Sequence, residues 1–128
     1  MLQCDRVYSA LNATETTETK VGTITIPPVG VRRIVGICPQ LMQPTSTAAE
    51  VVSGYVRLSF KTVSGLFKFP AQGVGGPAGT LAANVHTIEP KIIPVDIPVP
   101  PNEAVDCYMA ADIALTGTAS GAVALLME

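Results

Sequence analysis

Apolar and polar residues alternate one by one along most of this chain, the repeat of a β-strand with one face turned to a core. Residues 20–26 set Gly22, Ile24 and Ile26 against Val21, Thr23 and Thr25, an apolar face backed by a Thr-rich one. Residues 50–63 place Val52, Gly54, Val56, Leu58 and Phe60 on one side and Val51, Ser53, Tyr55, Arg57, Ser59 and Lys61 on the other. Residues 104–115 oppose Val105, Cys107, Met109, Ala111, Ile113 and Leu115 to Asp106, Tyr108, Ala110, Asp112 and Ala114. Shorter strands are expected at 5–11, 31–38, 66–69, 81–89 and 122–127. A helix would need ten or more Pro-free residues with apolar positions three and four apart. The nearest approach, around 47–52, is too short.

Proline and glycine divide these strands. Neither Pro27 nor Pro28 can donate a ladder hydrogen bond, so IPPVG is a turn. Pro39 and Pro44 bracket the exit of the third strand, and Pro70 closes the 66–69 strand. The following AQGVGGPAGT reads as a long flexible loop. Proline at 90, 94, 98, 100 and 101 makes residues 90–103 an extended edge strand or a connection crossing the surface. About eight strands, at spacings of roughly 8 to 15 residues, suit an all-β antiparallel sandwich. The long connections at 39–48, 70–80 and 90–103 favour Greek-key crossings, hence a jelly roll, over an up-and-down barrel. One domain over 1–128 is expected, without internal repeats.

Composition agrees: Val, Ile and Thr supply 37 of the 128 residues. Charge adds something new, because charged residues make up 14% against about 25% in ordinary globular domains. A folded monomer of 13.3 kDa exposes roughly 6,500 Å², or about one charge per 360 Å². So sparse a surface points to cover by other subunits. Among the outward positions, Ala110 and Ala114 are expected to leave a flat, weakly polar patch. A net charge of −2 and a pI near 5.3 argue against a nucleic-acid binder, which needs a basic patch, and no direct nucleic-acid contact is expected. The N-terminal residues have acids and Thr where a secretory signal would carry positive charge and an apolar run, and no stretch reaches the 18 apolar residues of a membrane-spanning helix.

Candidate chemistry is sparse. His86 stands without a locatable nucleophile or orienting acid and reads as structural or surface. GVGGPAG has a phosphate loop's glycines but neither its helix nor its Lys-Ser/Thr pair, and Ser120 in GTASG is misplaced for a nucleophile elbow. Asp96, Glu103, Asp106 and Asp112 gather in the last third; solvation or salt bridging between subunits is their expected use, with a weak calcium site as the other chemistry open to them. Three Tyr, three Phe and no Trp give little for sugars to stack on. The Asn12 sequon is read as chance. Cys4, Cys38 and Cys107 have no disulfide or zinc spacing and are expected to be reduced, buried thiols. No catalytic, cofactor-binding or metal-ligating residue is assigned.

The segments IPPVGVRRIVGI and IPVDIPVPPNEAVDCYMAADIALTGTASGAVALLME resemble the strands and Pro-rich connection of small single jelly-roll capsid proteins of icosahedral prokaryotic viruses. The resemblance covers residues 24–37 and the last third, is one of style without a diagnostic motif, and transfers no functional residue. It implies a sandwich of two four-stranded sheets that assembles into trimers, pentamers or a closed shell of the virion, with itself and other shell proteins as partners. Arg32 and Arg33, adjacent charges at the mouth of a strand, are the expected assembly contacts. The other reading is an oligomeric binding module for a receptor or carbohydrate, using the 71–80 loop; an enzyme is not expected.

Overall fold

A computed structural model describes residues 2–10, 17–43, 50–75, 91–111 and 120–128. Eight strands run through them: β1 (Gln3–Ala10), β2 (Thr19–Thr25), β3 (Arg33–Gln43), β4 (Glu50–Phe60), β5 (Phe67–Gly75), β6 (Ile93–Pro98), β7 (Ala104–Ala111) and β8 (Ser120–Met127). No helix occurs among the described residues. The expected strand at 81–89 lies outside them, as do His86, Asn12, Asp112 and Ala114.

Pairing is nested: β1 with β8, β2 with β7, β3 with β6 and β4 with β5, all antiparallel. Antiparallel β3–β8 and β4–β7 ladders complete two four-stranded sheets, β1-β8-β3-β6 and β5-β4-β7-β2. A three-residue parallel contact, Leu41–Gln43 against Gly73–Gly75, links them at one corner. Successive strands change sheet at every step except β4 to β5.

Between the sheets lies one core. Ile34, Ile37, Leu41, Val123 and Leu125 come from the first sheet, and Ile24, Val56, Leu58, Val105 and Met109 from the second. On β7 the alternation fills the core with Val105, Cys107 and Met109 while leaving Asp106 and Tyr108 outside. Ile26 and Val31 extend the core under the β2–β3 connection. Phe60 and Phe67 meet edge to face at 4.9 Å beside the β4–β5 turn.

Two proline boundaries are misplaced in the sequence reading. β3 continues through Pro39 to Gln43, and β5 through Pro70 to Gly75. Pro39 falls in the gap where the neighbour of β3 changes from β6 (last pair Ile37 and Ile93) to β5 (first pair Leu41 and Gly73). Pro70 precedes the stretch where β5 meets β3, so β4 is its one described neighbour. Each proline thus has one side without a described ladder partner, and a strand position of that kind is where a residue lacking an N–H is tolerated. The Pro-rich 90–103 segment contains a strand, β6, whose one described neighbour is β3.

Cysteine burial also departs from expectation. Cys107 is buried and Cys38 half-buried, but Cys4 is exposed, since its outward position lies on the edge strand β1.

Candidate functional site

Among the described residues the chemistry lies in three regions: the loop end and the two outer sheet faces. β2 and β4 each run antiparallel to β7, so they finish at the same end of the molecule. The connections 26–32, 61–66 and 99–103 meet there. Asn102 adopts a left-handed conformation, φ 62°, which Asn tolerates better than most residues. It turns the chain after Pro100 and Pro101 so that Asn102 N donates to Ile26 O at 3.1 Å and Ile26 N to Glu103 O at 2.8 Å. These bonds extend the β2–β7 ladder beyond the strands.

Glu103 then enters the structure as its one buried charged residue among those described, 4% exposed. Its Oε1 accepts from Lys61 N at 2.6 Å and Thr62 N at 3.0 Å, and its Oε2 accepts from the Thr62 hydroxyl. The Thr62 hydroxyl bond, with the two backbone bonds adding to it, holds the carboxyl below its ordinary value of 4.5 against the opposing effect of burial. An acid expected at the surface is instead the bolt between the β6–β7 and β4–β5 connections. A shallow cleft of about 350 Å³, lined by Lys61, Pro100, Pro101 and Ala104 among others, opens beside it. The two oxygens of Glu103 accept from three donors of the β4–β5 connection, and its lowered pKa is that of a fixed structural carboxylate rather than of a general acid.

Charge is concentrated on the outer face of β5-β4-β7-β2. One cross-strand row reads Lys20, Tyr108, Arg57, Lys68. The Arg57 guanidinium lies 4.3 Å from the Tyr108 ring centre and the Lys68 ammonium 3.8 Å from that of Tyr55. Arg57 also grips Glu18 with two bonds, 2.8 and 3.0 Å, which keep the Glu18 carboxyl below its usual range. In the next row Asp106 accepts from Thr23 Oγ1 at 2.7 Å and pairs with Lys20 at 3.2 Å. The Thr23 bond first, then Lys20, holds its carboxyl low. Two of the three cations here, Lys20 and Arg57, pair with acids of the same face, while Lys68 lies over Tyr55.

The outer face of β1-β8-β3-β6 is its opposite. Three rows cross it: Tyr8, Ala122, Gln40; Arg6, Ala124, Cys38; and Cys4, Leu126, Gly36, Pro94. Arg6 is the one charge among them. The flat, weakly polar patch expected at Ala110 therefore sits on the other sheet. Ala110 itself is 2% exposed, opposite Tyr55 on the charged face, and Ala122 and Ala124 supply the flat surface instead.

Arg32 and Arg33 begin β3 at the loop end, both exposed. Arg33 faces Asp96 at 3.5 Å and Glu128 at 3.8 Å, while the backbones of both arginines bond to Glu128 O. Arg32's guanidinium has no ion pair or hydrogen bond among the described residues. The acids suggested for calcium are dispersed: Asp96 to Arg33, Glu103 to Thr62, Asp106 to Lys20 and Thr23. No three His, Cys, Asp or Glu among the described residues converge on a point that would hold a metal ion. Of the 71–80 segment, 71–75 is strand and 76–80 lies outside the described residues. No described helix is long and apolar enough to cross a membrane.

Sequence reasoning missed the Glu103 bolt and the Glu18–Arg57 pair. The first carried a local signal, a Pro-Pro-Asn turn ahead of a strand. The second joins residues 39 apart and carried none. No protein-family model, no curated protein and no solved structure matches the chain.

Proposed function

We propose that this chain is a non-enzymatic structural protein, a jelly-roll subunit that associates with copies of itself and with other shell proteins to build a viral capsid or comparable shell. Nested pairing carries the reading: first strand with last, second with seventh, third with sixth, fourth with fifth. A long antiparallel ribbon rolled into two sheets has this order, with the sheet changing at each connection but the central hairpin. Low charge supports it as well, since a shell subunit must desolvate much of its surface. Glu18, Glu103 and Asp106 are also spent on partners within the chain, as expected of a scaffold. Trimers or pentamers are the units proposed, and the virion is the proposed location. With a net charge of −2, genome contact falls to another component.

Electron microscopy of the purified protein tests this. Rings or closed particles are expected; a field of dispersed 13.3 kDa subunits across all concentrations and salts overturns it.

A further inference from the structure

We infer that β1 is an exchangeable strand: the β8 edge that it covers is a strand-acceptor site, whose occupant in the assembled protein is β1 of a second copy of this chain. The inference rests on the self-assembly proposed above and gives it a linkage. Of the eight strands, β1 alone has no buried residue among those described. Alternation turns Gln3, Asp5, Val7 and Ser9 towards the core, and Val7 is the one apolar side chain among them. Asp5 in that row is exposed, and an inward-turned charge limits what an edge strand can bury. What holds β1 is its ladder of eight pairs, from Gln3 with Met127 to Ala10 with Ser120, together with Val7. That side chain sits on Gly22 of β2: a Cβ there would come within 2.7 Å of Val7 Cβ, so the glycine leaves the seat that Val7 fills.

The rest of the sandwich keeps its own ties when β1 leaves. β8 stays bonded to β3 through eight pairs, and its inward residues Val123, Leu125 and Met127 belong to the shared core. Just before β2, Arg57 grips Glu18 with two bonds, so a departing β1 does not drag β2 with it. From Ala10 to Glu18 the chain can reach up to about 26 Å, about five times the spacing of neighbouring strands. A vacated β8 edge presents N–H and C=O groups that take up an extended strand. β1 of a second copy fits that edge pair for pair and brings the Val7 that fills the seat on Gly22. Exchange therefore conserves every contact and needs no new complementary surface. Concentration then decides between a chain's own β1 and its neighbour's.

Crosslinking between two variants tests this. Cys4 faces Leu126 across the β1–β8 ladder, and Tyr8 faces Ala122. One chain keeps Cys4, and the other carries Cys4→Ser with either Leu126→Cys or Ala122→Cys; all carry Cys38→Ser, and Cys107 is buried. The two are mixed under reducing conditions at about 100 μM, then oxidised, and covalent heterodimer is read by mass spectrometry. Leu126→Cys is expected to give at least about tenfold more heterodimer than Ala122→Cys, because only a β1 seated on the other copy's β8 holds the two thiols together. A chain with both Cys4 and Leu126→Cys calibrates the bridge internally; where the disulfide closes poorly, a two-headed thiol reagent of about the 5 Å cross-strand spacing replaces oxidation. Equal heterodimer yields, or none with either variant, overturn the inference. They do so alone if the wild type still associates by light scattering, and together with the shell reading if it stays monomeric. Should Leu126→Cys fail to fold by circular dichroism, Tyr8→Cys in place of Cys4 decides: it is expected to join Ala122→Cys where Cys4 does not, and equal joining overturns the inference.

Discussion

Replacing Gly54 with Ala probes the β4–β7 contact at its closest point. A Cβ at Gly54 would lie 2.1 Å from the Ala110 carbonyl oxygen and 3.0 Å from the Ala111 Cα. Both obstacles are backbone, so β7 must retreat by about 1 Å to restore an ordinary contact. Overpacking of this kind costs about 1–3 kcal/mol, and loosening two neighbouring ladder bonds adds about 1 kcal/mol each. Ala recovers about 0.5–1 kcal/mol over Gly in a strand, which leaves a net loss of about 2–4 kcal/mol. Gly36→Ala is the matched control. Its Cβ would meet Ile92 Cγ2 at 2.8 Å and Leu126 Cδ1 at 3.0 Å, the ends of side chains on an outer face that can rotate away. Its net effect is expected within about 1 kcal/mol. Urea unfolding followed by circular dichroism, with every variant at one protein concentration, measures both. A Gly54→Ala protein as stable as the wild type, or a Gly36→Ala protein that loses more than Gly54→Ala, would refute the assigned β4–β7 packing.

Three further outcomes follow from the polar groups. Because the Glu103 carboxyl titrates below its ordinary value in the folded state, its stabilisation is complete above about pH 4.5 and is lost as the pH falls through the lowered value. Glu103→Gln should therefore melt below the wild type at pH 7, and the gap should close in a melting series taken below pH 4.5. A double-mutant cycle of Glu18→Gln and Arg57→Met should give a coupling of about 0.5–1 kcal/mol, reduced in 1 M salt, because the pair is 29% and 30% exposed; a larger, salt-independent coupling would mean the pair is drier than described. Thiol labelling should find Cys4 fast, Cys38 slower and Cys107 reacting at the rate of unfolding, since burial pushes the Cys107 thiol up to about 12. Equal rates for all three would contradict the burial of β7.

Strand-by-strand alternation exposed the all-β class and most strand positions because side chains facing one core must be apolar at every second residue. It worked best for β4 and β7, where Val56, Leu58, Val105, Cys107 and Met109 point inward without a break. It failed at Pro39 and Pro70, where a rule about lost ladder bonds depends on which neighbour stands beside the proline, a fact of topology rather than of local sequence. It also failed for the faces. Ala110 and Ala124 are each an alanine at an alternate strand position, yet one lies under the charge-rich face and the other on the charge-poor one. The difference comes from the cross-strand neighbours, Tyr55 against Ala110 and Arg6 with Cys38 against Ala124. Glu103 was legible as an acid but not as buried, because its partners Lys61 and Thr62 are more than 40 residues away. Arg32 and Arg33 were equivalent in sequence; in the structure Asp96 and Glu128 occupy Arg33 and leave the Arg32 guanidinium open to solvent.

Self-association of the wild-type chain is the claim on which the functional reading turns, and its molar mass in solution addresses it most directly. Size-exclusion chromatography with light scattering between about 1 and 100 μM should return masses at multiples of 13.3 kDa that rise with concentration or settle at a closed assembly. A constant 13.3 kDa throughout that range would contradict it.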